Sequence, residues 1–234
     1  MSVAENVAAI QDRTASAARR AGRNPDDIVL MAVSKTHPPE RIREAYEAGL
    51  RVFGENRVQE FADKVSALGD LRDARWHLIG HLQSNKAAKA AELFNAIDSL
   101  DSLKLAEKLN STAQALGKTL EVLIEINIGG EEAKSGLPPE SSELEKLLRA
   151  APDLISLKFR GLMTIPPFTE NLEDARPYFR KLRVLRDQIV SRKLPAIGMD
   201  VLSMGMSHDF EVAIEEGSTC VRVGTAIFGE RQKP

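Results

Sequence analysis

The sequence predicts one α/β domain folded as a (β/α)8 TIM barrel, with an extra N-terminal helix closing the outer ring. Three observations carry that prediction. Eight short apolar runs alternate with helix-patterned stretches along 234 residues, a length near the small end for eight strand–helix units. The runs are apolar throughout rather than alternating, as expected of parallel strands covered on both faces. Four helical stretches end at Gly22, Gly49, Gly117 and Gly217, each leading into the next run, where a left-handed residue makes a short helix-to-strand turn.

The first twenty residues place Val3, Val7 and Ile10 at helical spacing and stop before Gly22, the pattern of an amphipathic helix. Strand candidates then fall at 29–34, 51–54, 76–80, 94–97, 120–128, 157–165, 199–204 and 220–228. Helix candidates lie between them at 40–48, 84–93, 103–116, 142–150, 174–190 and 209–216. After the last strand only residues 230–234 remain, too few for a closing helix, so the N-terminal helix is expected to fill that gap. A doubly wound open sheet is the competing fold. It would carry Gly-x-Gly-x-x-Gly after the first strand, and none is there. No Pro/Gly/Ser linker or charge block interrupts the chain, so residues 1–234 are expected to form a single domain.

Composition narrows the function classes. Hydrophobic residues make up 43% and charged residues 28%, ordinary for a soluble chain that buries a core. Acidic residues number 34 against 32 basic ones, a net charge of -2 that argues against a broad nucleic-acid footprint. Cys220 is the sole cysteine, so no internal disulfide forms and a reducing compartment fits. It sits in the apolar run Thr219-Cys220-Val221-Arg222-Val223, the setting of a buried structural thiol rather than a nucleophile. No apolar stretch approaches the ~20 residues a membrane span needs. Glu5 and Asp12 in the N-terminal stretch suit neither a secretory nor a transit peptide. A cytoplasmic protein without membrane contact is expected.

Lys35 follows the apolar run that ends at Ser34 and precedes the loop His37-Pro38-Pro39. An amine at the carboxyl end of a barrel strand is placed for nucleophilic chemistry, because burial lowers a lysine pKa. The competing reading is a strand-end lysine with its ammonium in water. Barrel sites often hold a phosphate in the loops after strands seven and eight. Ser207 there reads as the N-cap of the helix opening at Asp209, Gly224 admits close backbone approach, and Thr225 offers a hydroxyl. An ordinary cap plus a packing glycine explains the same residues.

Arg222 lies inside the last strand between two valines, where a guanidinium must have a partner. A structural ion pair with Glu125 and a ligand contact near the barrel mouth are both open. His77 and His81 have helical metal-ligand spacing, but on a strand they stand about 13 Å apart, and no metal site is expected. Ser207-His208-Asp209 names the triad residue types, yet sequence neighbours cannot form a relay, and the Gly-x-Ser-x-Gly elbow is absent.

A strand-one lysine, a phosphate cup and an arginine between them outline a pyridoxal phosphate site. Here the chain resembles the pyridoxal phosphate homeostasis proteins, which are similar to the barrel domain of alanine racemase. The resemblance runs through Ala32-Val33-Ser34-Lys35-Thr36, Phe53-Gly54-Glu55-Asn56 with Gln59-Glu60, and His77-Leu78-Ile79-Gly80 with Leu82-Gln83-Ser84-Asn85-Lys86. It continues through Lys134-Ser135-Gly136, Gly161-Leu162-Met163-Thr164, Leu202-Ser203-Met204-Gly205-Met206-Ser207 and the stretch from Val221 to Gly229.

It implies an internal aldimine on Lys35, a phosphate held by Ser207, Gly224 and Thr225, Arg222 facing the pyridine nitrogen, and Asn56 lining the pocket. Lys134 belongs to a loop linked in the family to cofactor handling. Many members carry a second lysine two residues after the first, where this chain has His37. Alanine racemase also uses a second, β-rich domain that supplies an opposing tyrosine, and none is expected here. The leading expectation is a monomeric, non-catalytic protein that takes up, holds and releases pyridoxal 5'-phosphate, with apo-enzymes as candidate receivers. A low-activity amino-acid racemase, or a barrel enzyme using Lys35 without the cofactor, are the alternatives.

Overall fold

A computed structural model of the chain describes residues 2–131 and 134–230. Its strands are β1 (Val29–Val33), β2 (Val52–Glu55), β3 (Arg75–Leu78), β4 (Ala96–Leu100), β5 (Leu120–Glu125), β6 (Leu157–Met163), β7 (Ile197–Met206) and β8 (Cys220–Val223). They close into one parallel barrel in chain order, with β1 pairing to both β2 and β8. Around them lie α1 (Val3–Arg20), α2 (Pro39–Glu47), α3 (Val58–Lys64), α4 (Ala87–Leu93), α5 (Leu103–Ala115), α6 (Ser142–Ala150), α7 (Arg176–Ser191), α8 (Phe210–Glu215) and α9 (Thr225–Phe228). The predicted fold class is the one observed.

The N-terminal helix fills the expected place, packing against α8, α9 and α2. Its first turn is a capping box: the Glu5 amide donates to Ser2 Oγ at 3.2 Å, and the Ser2 amide donates to Glu5 Oε2 at 2.7 Å. Its apolar stripe, Val3, Val7 and Ile10, is buried. Arg13 and Arg20 on the outer side pair with Glu211 of α8 at 2.8 and 3.0 Å, and Asn6 donates to the Ile227 carbonyl at 2.9 Å. The four helix-closing glycines take φ values of 67° (Gly22), 98° (Gly49), 63° (Gly117) and 105° (Gly217), the left-handed conformation their positions predicted.

Two elements depart from expectation. The apolar run 220–228 is strand only to Val223; at Gly224 (φ -114°, ψ -80°) the chain turns into α9, whose Ile227 and Phe228 are buried. A continuously apolar run has no period of its own, so composition cannot separate strand from buried helix. Helix α3, not among the expected helices, buries Val58, Phe61 and Lys64 at spacings of three, a weak helical signal in so short a segment.

The main core lies between sheet and helices, with Phe53, Phe61, Phe94, Leu105 and Phe179 fully buried. Inside the barrel a smaller apolar cluster of Met31, Val33, Ile79 and Cys220 occupies the axis. The carboxyl ends of all eight strands face one way, and the loops there build the site.

Candidate functional site

All six residues expected at the site meet in one cavity of about 250 Å³ at the carboxyl end of the barrel. Lys35, Asn56, Ser207, Arg222, Gly224 and Thr225 line it, together with Val33, His37, Ile79, Ile165, Met206 and His208. Lys35 is half-buried, two residues beyond the end of β1. His37 stacks on Phe228 with ring centroids 4.6 Å apart. The apolar members were not foreseen, because an inward-facing strand residue reads as core until the barrel shows which layer meets the mouth.

Arg222 is 3% exposed, and its guanidinium is fixed from three sides. Nη1 donates to the Ser203 carbonyl and to Ser203 Oγ, both at 2.7 Å, and Nη2 donates to the Thr164 carbonyl at 2.6 Å. Of the two readings left open, the structure shows no ion pair with Glu125. Main-chain carbonyls of β7 and of the residue after β6 satisfy the cation, because the barrel brings three strand ends around it. Burial pulls the Arg222 pKa down, opposed by acidic groups including Asp98, Asp209 and Glu125.

Ser207 is corrected. It is not the N-cap of α8; Asp209 holds that position, and its Oδ1 accepts from the Met206 amide at 2.6 Å. The turn between β7 and α8 is three residues long, so the cap falls two residues later than the sequence spacing implied. Ser207 Oγ instead accepts from the Gly224 amide at 3.1 Å, tying the loop after β7 to the loop after β8. The two loops of the expected phosphate cup are thus one unit.

Asn56 reaches the cavity because Gly80 lets the end of β3 approach it. A Cβ at Gly80 would stand 2.3 Å from the Asn56 carbonyl oxygen. Across the mouth, the loop holding Lys134, Ser135 and Gly136 folds over Glu125: the Leu137 amide donates to the Glu125 carbonyl at 2.8 Å, and Gly136 takes φ 105° against the Glu125 side chain. Glu125 is 6% exposed, its Oε2 has no hydrogen-bond partner, and burial raises its pKa to about 7. Lys134 does not line the cavity. Its ammonium pairs with Glu131 and donates to the Pro166 carbonyl at 3.4 Å, beside the cavity residue Ile165.

The remaining candidates fall away from the site. His77 and His81 take separate carboxylates, Asp98 and Asp101, each at 3.0 Å. Among the described residues no group of three or more His, Cys, Asp or Glu could hold a metal ion. Cys220 is buried with its pKa pushed up to about 12, as a structural thiol should be. Tyr46 hydrogen-bonds Asp73 and Tyr178 packs near Lys181 on α7; neither tyrosine lines the cavity. A second cavity, of about 340 Å³, opens at the amino end of the barrel around Arg75, His77, Asp98 and Arg160. It is larger but has no lysine, and both its arginines pair with Glu121. Among the described residues no helix is long and apolar enough to cross a membrane.

Fold and site together define a barrel of the type found in the N-terminal domain of alanine racemase, and the family model so described matches residues 6–232. A pyridoxal phosphate homeostasis protein of Aquifex aeolicus is 50% identical over 232 residues, covering 99% of this chain and 100% of that one. One from Pseudomonas aeruginosa is 44% identical over 229 residues, covering 98% and 96%. The chain belongs to the pyridoxal phosphate homeostasis protein family. Among solved structures, PipY of Synechococcus elongatus with pyridoxal phosphate bound superposes with a TM-score of 0.84 at 38% identity, covering 97% of this chain and 100% of that one. An alanine racemase of Clostridium difficile superposes at 0.72 with 15% identity, covering 99% of this chain but 57% of the racemase, a likeness of fold alone.

Proposed function

We propose that this protein binds pyridoxal 5'-phosphate, holds it as a Schiff base on Lys35 and releases it, serving intracellular homeostasis of the cofactor without robust catalysis. The observation that carries the reading is the convergence of an amine, a fixed guanidinium and a two-loop hydroxyl and amide cup on one cavity. The donor set fits the group. Ser207, Gly224 and Thr225 would hold the phosphate, Arg222 would face the ring nitrogen, and Asn56 would line the ring pocket. A relative at 38% identity whose structure contains pyridoxal phosphate supports the assignment.

Holding the cofactor is a balanced exchange. The Lys35 amine would condense with the cofactor aldehyde with loss of one water, and one water returning would restore amine and aldehyde. The bound cofactor supplies an electron sink, which a protonated ring nitrogen strengthens. Arg222 is a donor with no proton to give up readily, so it does not favour that protonation. Neither tyrosine reaches the cavity to act as an opposing acid or base, which favours a holding role over racemisation. The relatives' names point the same way, and apo-enzymes that use the cofactor are the fitting receivers.

Reconstitution tests the reading. Purified protein mixed with pyridoxal phosphate is expected to show the visible band of a Schiff base, and Lys35→Ala to abolish it. A colourless wild type refutes the proposal. Racemisation of an L-amino-acid panel, followed by chirality, is expected to stay at background; appreciable turnover favours the racemase instead.

A further inference from the structure

Both neighbours of Lys35 are held by charged side chains that lie outside the cavity. Ser34 is fully buried: its amide donates to the Gly54 carbonyl at 3.0 Å, and its hydroxyl donates to Glu55 Oε1 at 2.6 Å. Its carbonyl accepts from Lys64 Nζ at 3.2 Å, and the same ammonium donates to the His37 carbonyl at 3.4 Å. Lys64 thus bridges the backbone on either side of Lys35. Its charge is balanced by Glu55 at 2.8 Å and Glu60 at 3.2 Å, while Lys64 is 8% exposed and Glu55 0%.

The residue on the other side is strained. Thr36 adopts φ 66°, a left-handed conformation that a β-branched side chain disfavours. It is pinned there by its amide, which donates to Glu60 Oε1 at 2.5 Å. Strain of this kind persists where surrounding contacts over-determine the backbone, and it gathers at sites of function. The three charged residues come from the end of β2 and from α3, so one segment, residues 55–64, grips the loop that carries Lys35.

Resting on the cofactor reading above, we infer that Lys64, Glu55 and Glu60 form a clamp that positions Lys35 for bonding to the cofactor aldehyde. They are positioning residues: they act through the backbone of residues 34–37 and do not line the cavity. The clamp gives specificity for the aldehyde form, because it orders the amine and leaves the phosphate cup and Arg222 to recognise the rest. Displacing a reacting group by about 1 Å can cost on the order of a hundredfold in reactivity, so a loosened loop is expected to weaken bonding selectively.

The test compares pyridoxal 5'-phosphate with pyridoxine 5'-phosphate, which has the same phosphate and ring but an alcohol in place of the aldehyde. Lys64→Met keeps chain length and removes the bridge; Glu60→Ala, at a half-buried site, removes the acceptor for the Thr36 amide. For Lys64→Met, pyridoxal phosphate affinity read from the visible band is expected to fall about tenfold or more. Pyridoxine phosphate affinity, read by calorimetry, is expected to stay within about twofold, and Lys64→Met is expected to add nothing in a Lys35→Ala background. Glu60→Ala is expected to show the same selectivity at smaller size, and it decides the matter alone if Lys64→Met does not fold. Parallel weakening of both ligands, or no weakening of either in a folded variant, overturns the clamp. A wild type that binds neither ligand overturns the clamp and the cofactor reading together, whereas a wild type that forms the band with variants unchanged overturns the clamp alone.

Discussion

Glu125 is predicted to make this protein less stable as pH rises from 4.5 toward about 7, and Glu125→Gln to remove that dependence. The carboxyl group sits at the end of β5 under the loop of Gly136, 6% exposed, with Oε2 unpartnered. Its pKa rises from 4.5 to about 7; burial is the main cause and the charge of Asp101 adds to it, while Arg222 opposes. An acid raised in the folded state holds its proton where the unfolded chain has already lost one. The folded state is therefore favoured below pH 4.5, and that advantage drains away between pH 4.5 and about 7. At about 1.4 kcal/mol per pH unit, the loss amounts to roughly 3 kcal/mol. Urea unfolding at intervals from pH 4.5 to 8, for wild type and Glu125→Gln, measures it as the pH slope of their difference. Comparing slopes cancels the titrating groups that do not interact with Glu125 and any constant effect of the amide. Parallel curves would refute the reasoning, because they would mean that Glu125 is solvated or paired in the folded protein.

Other expectations follow from the same geometry. Gly80→Ala sets a Cβ within 2.3 Å of the Asn56 carbonyl oxygen, so backbone must move. The variant is expected to lose about 2 kcal/mol in urea unfolding and to bind pyridoxal phosphate more weakly as Asn56 shifts; unchanged values would mean the approach is looser than described. Cys220, with its pKa pushed up to about 12, is expected to resist a thiol reagent at pH 8 in the native protein and to react at once in denaturant. Prompt modification of native protein would contradict its burial.

Much of the barrel was legible because its signals are local. Helix-closing glycines, apolar runs and the stripe of Val3, Val7 and Ile10 each report on their own element. The site was legible as a set of residues but not as a set of bonds. Arg222 plainly needed a partner, yet strand-end carbonyls are invisible in a sequence: every residue has one, and only the barrel decides that Ser203 and Thr164 face it. Ser207 was placed in the right loop with the wrong bond, since a cap is defined by a turn length that a sequence does not announce. Lys64 gave no signal of function because nothing in the sequence says that the end of α3 reaches the backbone of the loop after β1. His208 was weighed only against a triad, although its place at the mouth follows from its position beside Ser207.

On the proposed reading, in which the cup takes a phosphate, the bond from the Gly224 amide to Ser207 Oγ would bear on how readily that phosphate is released. An incoming phosphate oxygen that seeks that amide must displace the serine hydroxyl, so it trades one hydrogen bond for another. When the phosphate leaves, Ser207 can return, and the amide is not left stranded in a site partly closed to water. In that reading the serine would act as a placeholder, lowering the net gain on uptake by on the order of 1 kcal/mol and sparing a comparable loss on release. An enzyme gains from a cofactor that never departs, whereas a carrier is served by a site whose own groups can reclaim the ligand's position.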